Sequence, residues 1–439
     1  GTEKRDVFVE NEKIVEAGKA DTVVDVSGCL LFPGFIDSHT HMDMPVSGTV
    51  TADSFPTGTM AAVAGGTTVI IDFATQDRGH TLREALDLWH ERADGRCACD
   101  YGFHMAVTDW NPHTANELQD MIDEGISTFK GYMAYDDLKL TDDEILALLR
   151  AAGSVGGVVG MHCERGDAVN ENIRALLAAG HTGPRWHPVS RPNRVESDAV
   201  RRFLELAEEA KGRPWIVHLS TREGLSAVET AREKGLTVLT ETCPQYLTLT
   251  DELYSLPDFE GAKYVCSPPL RTEADRLALC RAVRDGRIDI LSTDHCSFNF
   301  IGQKEKGRGD FSKIPNGLPG VGTRPAVFWS RFVSAGMLRS EDMCRLLSEN
   351  PAKAMGLWGR KGALRPGFDA DIVVWDPGHR GVLHARDRQT VCDYDPWEGT
   401  PLTGQAREVW LRGEKAAENG RCIRKSGGRY LRRDIPVIQ

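Results

Sequence analysis

No segment of the 439 residues approaches the roughly eighteen uninterrupted apolar residues of a membrane-spanning helix. The charged opening Thr2-Glu3-Lys4-Arg5-Asp6 is not followed by the apolar core of a signal peptide. No membrane partner is expected, and a cytoplasmic location is the default. The eleven cysteines contain no CxxC pair, Cys97 and Cys99 are too close for an ordinary bridge, and the total is odd. That usage suits a reducing compartment and argues against structural disulfides. Basic runs interleaved with aromatics are missing, and a formal net charge of -11 disfavours a nucleic-acid partner. Neither an internal repeat nor a low-complexity tract is present, so solenoid and disordered-tail readings gain nothing. Small molecules are the ligands this composition favours.

What is present is alternation. With 41% hydrophobic residues the chain can bury one large core or two unequal ones. From Leu31 to about Cys296, short apolar runs alternate with helical patterns, which predicts a parallel sheet with crossover helices. The predicted strands are Leu31 to Ile36, Thr68 to Phe73, Tyr101 to Val107, Ser127 to Met133, Val158 to His162, Trp215 to Leu219, Thr237 to Glu241 and Ile288 to Ser292. Eight such strands close a (β/α)8 barrel. A doubly wound open sheet is the rival, but it favours a glycine-rich phosphate fingerprint that is not evident here. Helices are expected between the strands, with Gly125, Gly153, Gly212, Gly235 and Gly286 as C-caps and a capping box at Thr141 and Glu144. The ends differ. Val7 to Val26 and Asp371 to about Ile423 are short alternating segments that should pair into a small β-sandwich domain built from both termini. The expected boundaries are 1–30 and 359–439 for that domain and its tail, and 31–358 for the barrel.

In such a barrel, function collects at the C-terminal ends of the strands. His39 and His41, one residue apart, project to the same side of strand one. Lys130 lies in strand four, His162 ends strand five, His218 ends strand six and Asp294 follows strand eight. Each residue alone has an ordinary packing or capping explanation; five strand ends together point to a metal site. Four imidazoles and a carboxylate suit zinc and exceed the needs of one tetrahedral ion, so two metals are implied. An ammonium beside two dications is repelled, which leaves Lys130 deprotonated, distant or chemically altered. His295 reads as turn filler, and histidines 80, 90, 104, 113, 181, 187, 379 and 384 as surface or packing residues.

The motifs DSHTHMDMP, FKGYMAY, GMHCERGD, VHLS, ETCPQYL, SPPLR, TDHCSF and KIPNGLPGVGTR, in that order, closely resemble the dihydropyrimidinase and hydantoinase family of cyclic amidohydrolases. The likeness continues into ADIVVWDP and covers nearly the whole chain. It implies that Lys130 is N-carboxylated by carbon dioxide and bridges two zinc ions. His39, His41 and Asp294 would hold one ion, His162 and His218 the other, with a bridging hydroxide as nucleophile. The implied reaction is hydrolysis of the ring amide of 5,6-dihydropyrimidines or hydantoins to N-carbamoyl amino acids. Asp294 would carry the proton, Tyr135 would stabilise the oxyanion, and backbone groups of Ser267 and Asn316 would grip the cyclic amide. Relatives are commonly homotetramers. Allantoinase and dihydroorotase share barrel and metals but fit CPQYL, SPPLR and IPNG less well. Related non-enzymatic interaction proteins have lost the ligand set, which is complete here.

Some positions depart from the family pattern. Relatives commonly have Lys-Gly and apolar residues where this chain reads Asp136-Asp137-Leu138-Lys139, so Lys139 either makes the exocyclic pocket more polar or points to solvent. Cys163 and Arg165 replace alanine and asparagine, and Thr293 replaces serine. Relatives also carry a strand ahead of the segment matching Asp6 to Val9, so the β domain is expected to lack an edge strand, with Gly1-Thr2 as a foreign remnant.

Overall fold

A computed structural model describes residues 2–46 and 48–437. Eight parallel strands pair in chain order: β1 (Phe35–Thr40), β2 (Thr67–Thr75), β3 (Asp100–Ala106), β4 (Thr128–Tyr132), β5 (Val158–His162), β6 (Pro214–Ile216), β7 (Leu239–Thr242) and β8 (Ile290–Leu291). Their residues are buried almost throughout, as expected where helices cover a parallel sheet that wraps its own core. The ring closes beyond β8 rather than along it. There, Thr40 bridges His295, and His41 N donates to His295 O at 2.8 Å. The (β/α)8 expectation is thus met, with strands six and eight shorter than their apolar runs suggested.

Helix boundaries follow local chemistry. Thr81 with Glu84 and Thr141 with Glu144 form reciprocal capping boxes at the starts of Leu82–Ala93 and Asp142–Ser154. Two expected glycine caps are displaced. Gly153 lies inside the helix and Gly156 takes the left-handed conformation after it, while Lys211 takes that role before Gly212.

The expected first strand, Leu31 to Ile36, is two strands divided at Gly34. Leu30–Pro33 pairs antiparallel with Ile372–Val382, and Phe35–Thr40 enters the barrel. Gly34 N donates to Asp371 O at 2.9 Å and Phe35 N to Gly66 O at 3.1 Å, so neighbouring amides serve different sheets. No side chain fits at residue 34, where a Cβ would collide with Thr68. A continuous apolar run cannot reveal this division, because both halves are apolar.

The second sheet has five strands in the order Arg421–Cys422, Glu414–Glu418, Pro401–Leu411, Ile372–Val382 and Leu30–Pro33, so it draws on both ends of the chain. Val7 to Val26 does not join it as expected. Phe8–Glu10 and Lys13–Val15 form their own hairpin, with Asn11 and Glu12 both at positive φ as a two-residue turn between twisted strands requires. That hairpin docks through Ile14 N to Phe368 O (2.9 Å) and Ala370 N to Glu12 O (2.8 Å). Lys361, fully buried, fastens sheet to barrel: its Nζ lies 2.8 Å from Asp100, 3.0 Å from Asp369 and 2.7 Å from Asp371. The C-terminal tail crosses the bottom of the barrel, where Leu431 N donates to Tyr101 O (2.7 Å) and Arg433 N to Gly125 O (3.0 Å). The opposite end is left for chemistry. Among the described residues no helix is long and apolar enough to cross a membrane.

Candidate active site

At the C-terminal ends of the strands the structure gathers all six of the predicted ligand residues. His39 and His41 each place Nε2 3.2 Å from Asp294 Oδ1, and these three atoms form a group that could hold one metal ion. Lys130 Nζ, rising from the middle of β4, lies 3.1 Å from His39 Nε2. His162 Nδ1 is 3.0 Å from His218 Nε2. Three residues here sit in the left-handed region without being glycine: Tyr135 (φ 68°), His218 (φ 37°) and Asp294 (φ 53°). Such backbone costs about 1–3 kcal/mol per residue and persists where surrounding structure over-determines it. It turns these side chains inward from the ends of their strands.

Burial sets the electrostatics. Desolvation lowers the pKa of His39, His162 and His218, which keeps the imidazoles neutral, the form that ligates metal. It also brings the Lys130 ammonium down to about 8, so a reactive neutral amine is accessible near physiological pH. At Asp294 burial works the other way but is outweighed by the His41 contact and the nearby His218, and the carboxyl stays below its usual range. The imidazole nitrogens, the amine and the carboxylate oxygen approach one another at 3.0–3.2 Å, close enough for one cation to be shared among them. The Nδ1 atoms of His41 and His218 are buried without a hydrogen-bond partner. This donor set fits divalent metal.

Several residues that complete the site carry no obvious sequence signal. Glu241, buried at β7, accepts from His218 N at 3.2 Å and lies 2.7 Å from His39 Nδ1. The strand-end rule, applied to carboxylates as well as histidines, would have found it. Glu164 lies 2.9 Å from His162 Nε2 and receives the buried Arg191, whose guanidinium stands 5.7 Å from the Tyr135 ring. Asp37 accepts from Thr293 N (3.1 Å) and Thr293 Oγ1 (2.7 Å), pinning the turn that presents Asp294. A serine there would make the same hydroxyl contact, so that departure leaves the turn intact. His295 is not filler. Buried, it accepts from Gly320 N at 3.0 Å and Val321 N at 3.2 Å, and faces Asp53 at 3.2 Å.

Tyr135 is half-buried beside Ser267, and desolvation pushes its phenol up to about 12, so it stays a donor. Asn316 is half-buried, and Gly317 after it packs against Cys296, two residues beyond Asp294. Lys139 points to the surface, where its Nζ pairs with Asp167 at 2.7 Å and Asp136 at 3.0 Å. Arg165 pairs with Asp198 at 3.3 Å, and Cys163 turns back to Met161 O.

The model of the amidohydrolase family matches residues 30–415. A D-hydantoinase from Streptomyces coelicolor is 43% identical over 98% of this chain and 94% of its own length. The chain belongs to the amidohydrolase family, in its hydantoinase and dihydropyrimidinase branch. A D-hydantoinase from Geobacillus stearothermophilus is 41% identical over 98% of this chain and 93% of its own length. The crystal structure of a dihydropyrimidinase from Brevibacillus agri superposes with a TM-score of 0.96 at 40% identity, covering 98% of this chain and 95% of the other. Membership in the family accounts for the barrel, the second sheet and the gathering of metal-type residues at one rim.

Proposed function

We propose that this protein hydrolyses the ring amide bond of cyclic ureides, 5,6-dihydropyrimidines and hydantoins, to N-carbamoyl amino acids. It is an enzyme of the cyclic amidohydrolase type. The observation that carries the reading is the meeting of His39, His41 and Asp294 with Lys130, His162 and His218 at one barrel mouth, in a chain 43% identical to a D-hydantoinase over nearly its whole length.

His39, His41 and Asp294 would hold one zinc ion and His162 with His218 a second. Lys130 would join them after its neutral amine adds to the carbon of carbon dioxide, with release of one proton. Held there, the metals supply Lewis acidity and a water acidified to near neutral pH. Asp294 takes a proton from the attacking water and delivers it to the ring nitrogen as the C–N bond breaks; the water oxygen ends in the new carboxylate. Tyr135 donates a hydrogen bond from its hydroxyl to the carbonyl oxygen as negative charge builds, a type of contact worth about 10²- to 10³-fold in rate. Backbone groups of Ser267 and Asn316 orient the ring. The enzyme would work as a cytoplasmic homotetramer on a small-molecule substrate.

The test is hydrolysis of dihydrouracil and a panel of 5-substituted hydantoins, with metal analysis of the same sample. Turnover with two metal ions per chain is expected. A fully metallated preparation that opens none of these rings would defeat the assignment.

A further inference from the structure

Lys304 begins a short turn in the loop that follows Asp294, and it is fully buried. It makes no ion pair among the described residues. Its Nζ donates instead to two backbone carbonyls, Val265 O at 2.8 Å and Pro315 O at 3.0 Å. Val265 stands two residues before Ser267, and Pro315 immediately before Asn316. The two segments also touch directly, since Gly317 N donates to Val265 O at 3.0 Å. On its other side Gly317 lies so close to Cys296 that a Cβ would collide with the Cys296 carbonyl. Three stretches of chain that surround the site therefore meet at one junction, with an amine at its centre.

Burying an amine without a carboxylate is costly, and burial brings this one down to about 8. A methionine would fill similar volume without that cost. What an apolar side chain cannot do is satisfy two carbonyls at once. Neither carbonyl belongs to a regular strand or helix, so without the amine the segments lose contacts that fix their spacing. A misplacement of about 1 Å in groups that orient a substrate can cost about 10²-fold.

We propose that Lys304 is a positioning residue that sets the separation of the Ser267 and Asn316 segments, and hence the width of the grip on the cyclic amide. This rests on the functional reading above. It assigns to Lys304 a role in holding substrate and none in bond breaking.

The test compares the parent enzyme with Lys304→Met on a 5-substituted hydantoin, measuring kcat, KM, metal content and hydrogen exchange of segments 265–268 and 314–318. The expected result is a KM raised tenfold or more, a kcat changed less than threefold, unchanged metal content, and faster exchange in both segments together. A KM within twofold of the parent's, or a loss of kcat and metal in parallel, would overturn the proposal. If Lys304→Met is recovered only unfolded, Lys304→Gln, which keeps two N–H donors on a shorter arm, is read by the same criteria. If the metallated parent opens no ring at all, the functional reading fails, and hydrogen exchange still decides whether Lys304 couples the two segments.

Discussion

Glu241 Oε1 lies 2.7 Å from His39 Nδ1, and the same oxygen receives the backbone N–H of His218 at 3.2 Å. One carboxylate atom thus orients groups assigned to each of the two metals. With Nδ1–H donated to Glu241, His39 is fixed in the tautomer whose Nε2 lone pair faces Asp294 and Lys130. Replacing Glu241 by Gln keeps the shape but weakens the acceptor. Metal affinity is expected to fall about 10- to 100-fold. Titration of the metal-stripped enzyme with zinc, read against a competing chelator, checks this; parental affinity would remove Glu241 from the site.

His39→Ala and His41→Ala should abolish turnover while leaving the barrel folded, with some stability lost because both rings pack on Phe73 and His39 partners the buried Glu241. Far-ultraviolet circular dichroism of the metal-free proteins should match that of the metal-free parent. A variant with normal activity would show that the metal reading of this pair is mistaken.

Lys361 joins Asp100 of β3 to Asp369 and Asp371 beside the second sheet. Lys361→Met would leave the buried Asp371 without its cation, and Asp100 and Asp369 with only Arg412 and Lys13 as partners. Removing one partner of a buried ion pair costs about 3–5 kcal/mol, so the urea midpoint should fall sharply at neutral pH and recover toward acid as the carboxylates protonate. A midpoint equal to the parent's at pH 7 would mean that water reaches the junction.

Stability should also depend on Asp395. Burial pushes its carboxyl up to about 7, with the Trp397 N–H and the Arg388 guanidinium offsetting only part of the effect. The folded chain therefore holds a proton that an unfolded aspartate, with a pKa of about 4, has released. Between those values unfolding releases a proton, so this group's contribution declines as pH rises through the window and is fully lost above it. The slope is about 1.4 kcal/mol per pH unit. Asp395→Asn keeps an oxygen for Trp397 N and removes the titration. Its urea midpoint should exceed the parent's at pH 8, with the gap closing toward pH 5; a gap constant with pH would place the Asp395 titration elsewhere.

Much of the site was legible because its signals are local. His39 and His41 share a face by strand geometry alone, and His162 and His218 stand at the ends of apolar runs that any parallel barrel would present at one rim. Glu241 was legible only to a strand-end rule that counts carboxylates, since taken alone a carboxylate after an apolar run reads equally well as a cap or a solvated end. Lys304 was hidden for a different reason. Its partners are backbone carbonyls about 40 and 11 residues away along the chain, and carbonyls carry no sequence signal.

The sequence by itself determined the eight alternations, the order of the ligand-bearing strands and the family, because side-chain periodicity and motif order are properties of neighbouring residues. Only the tertiary structure decided that Leu30–Pro33 leaves the barrel at Gly34 and that the N-terminal hairpin stands apart from the five-stranded sheet. It alone showed that the tail seals the barrel bottom and that Glu241 spans the two halves of the site. Those outcomes depend on which distant backbone groups satisfy one another once water is excluded, and close approach in space is not written in the spacing of residues along the chain.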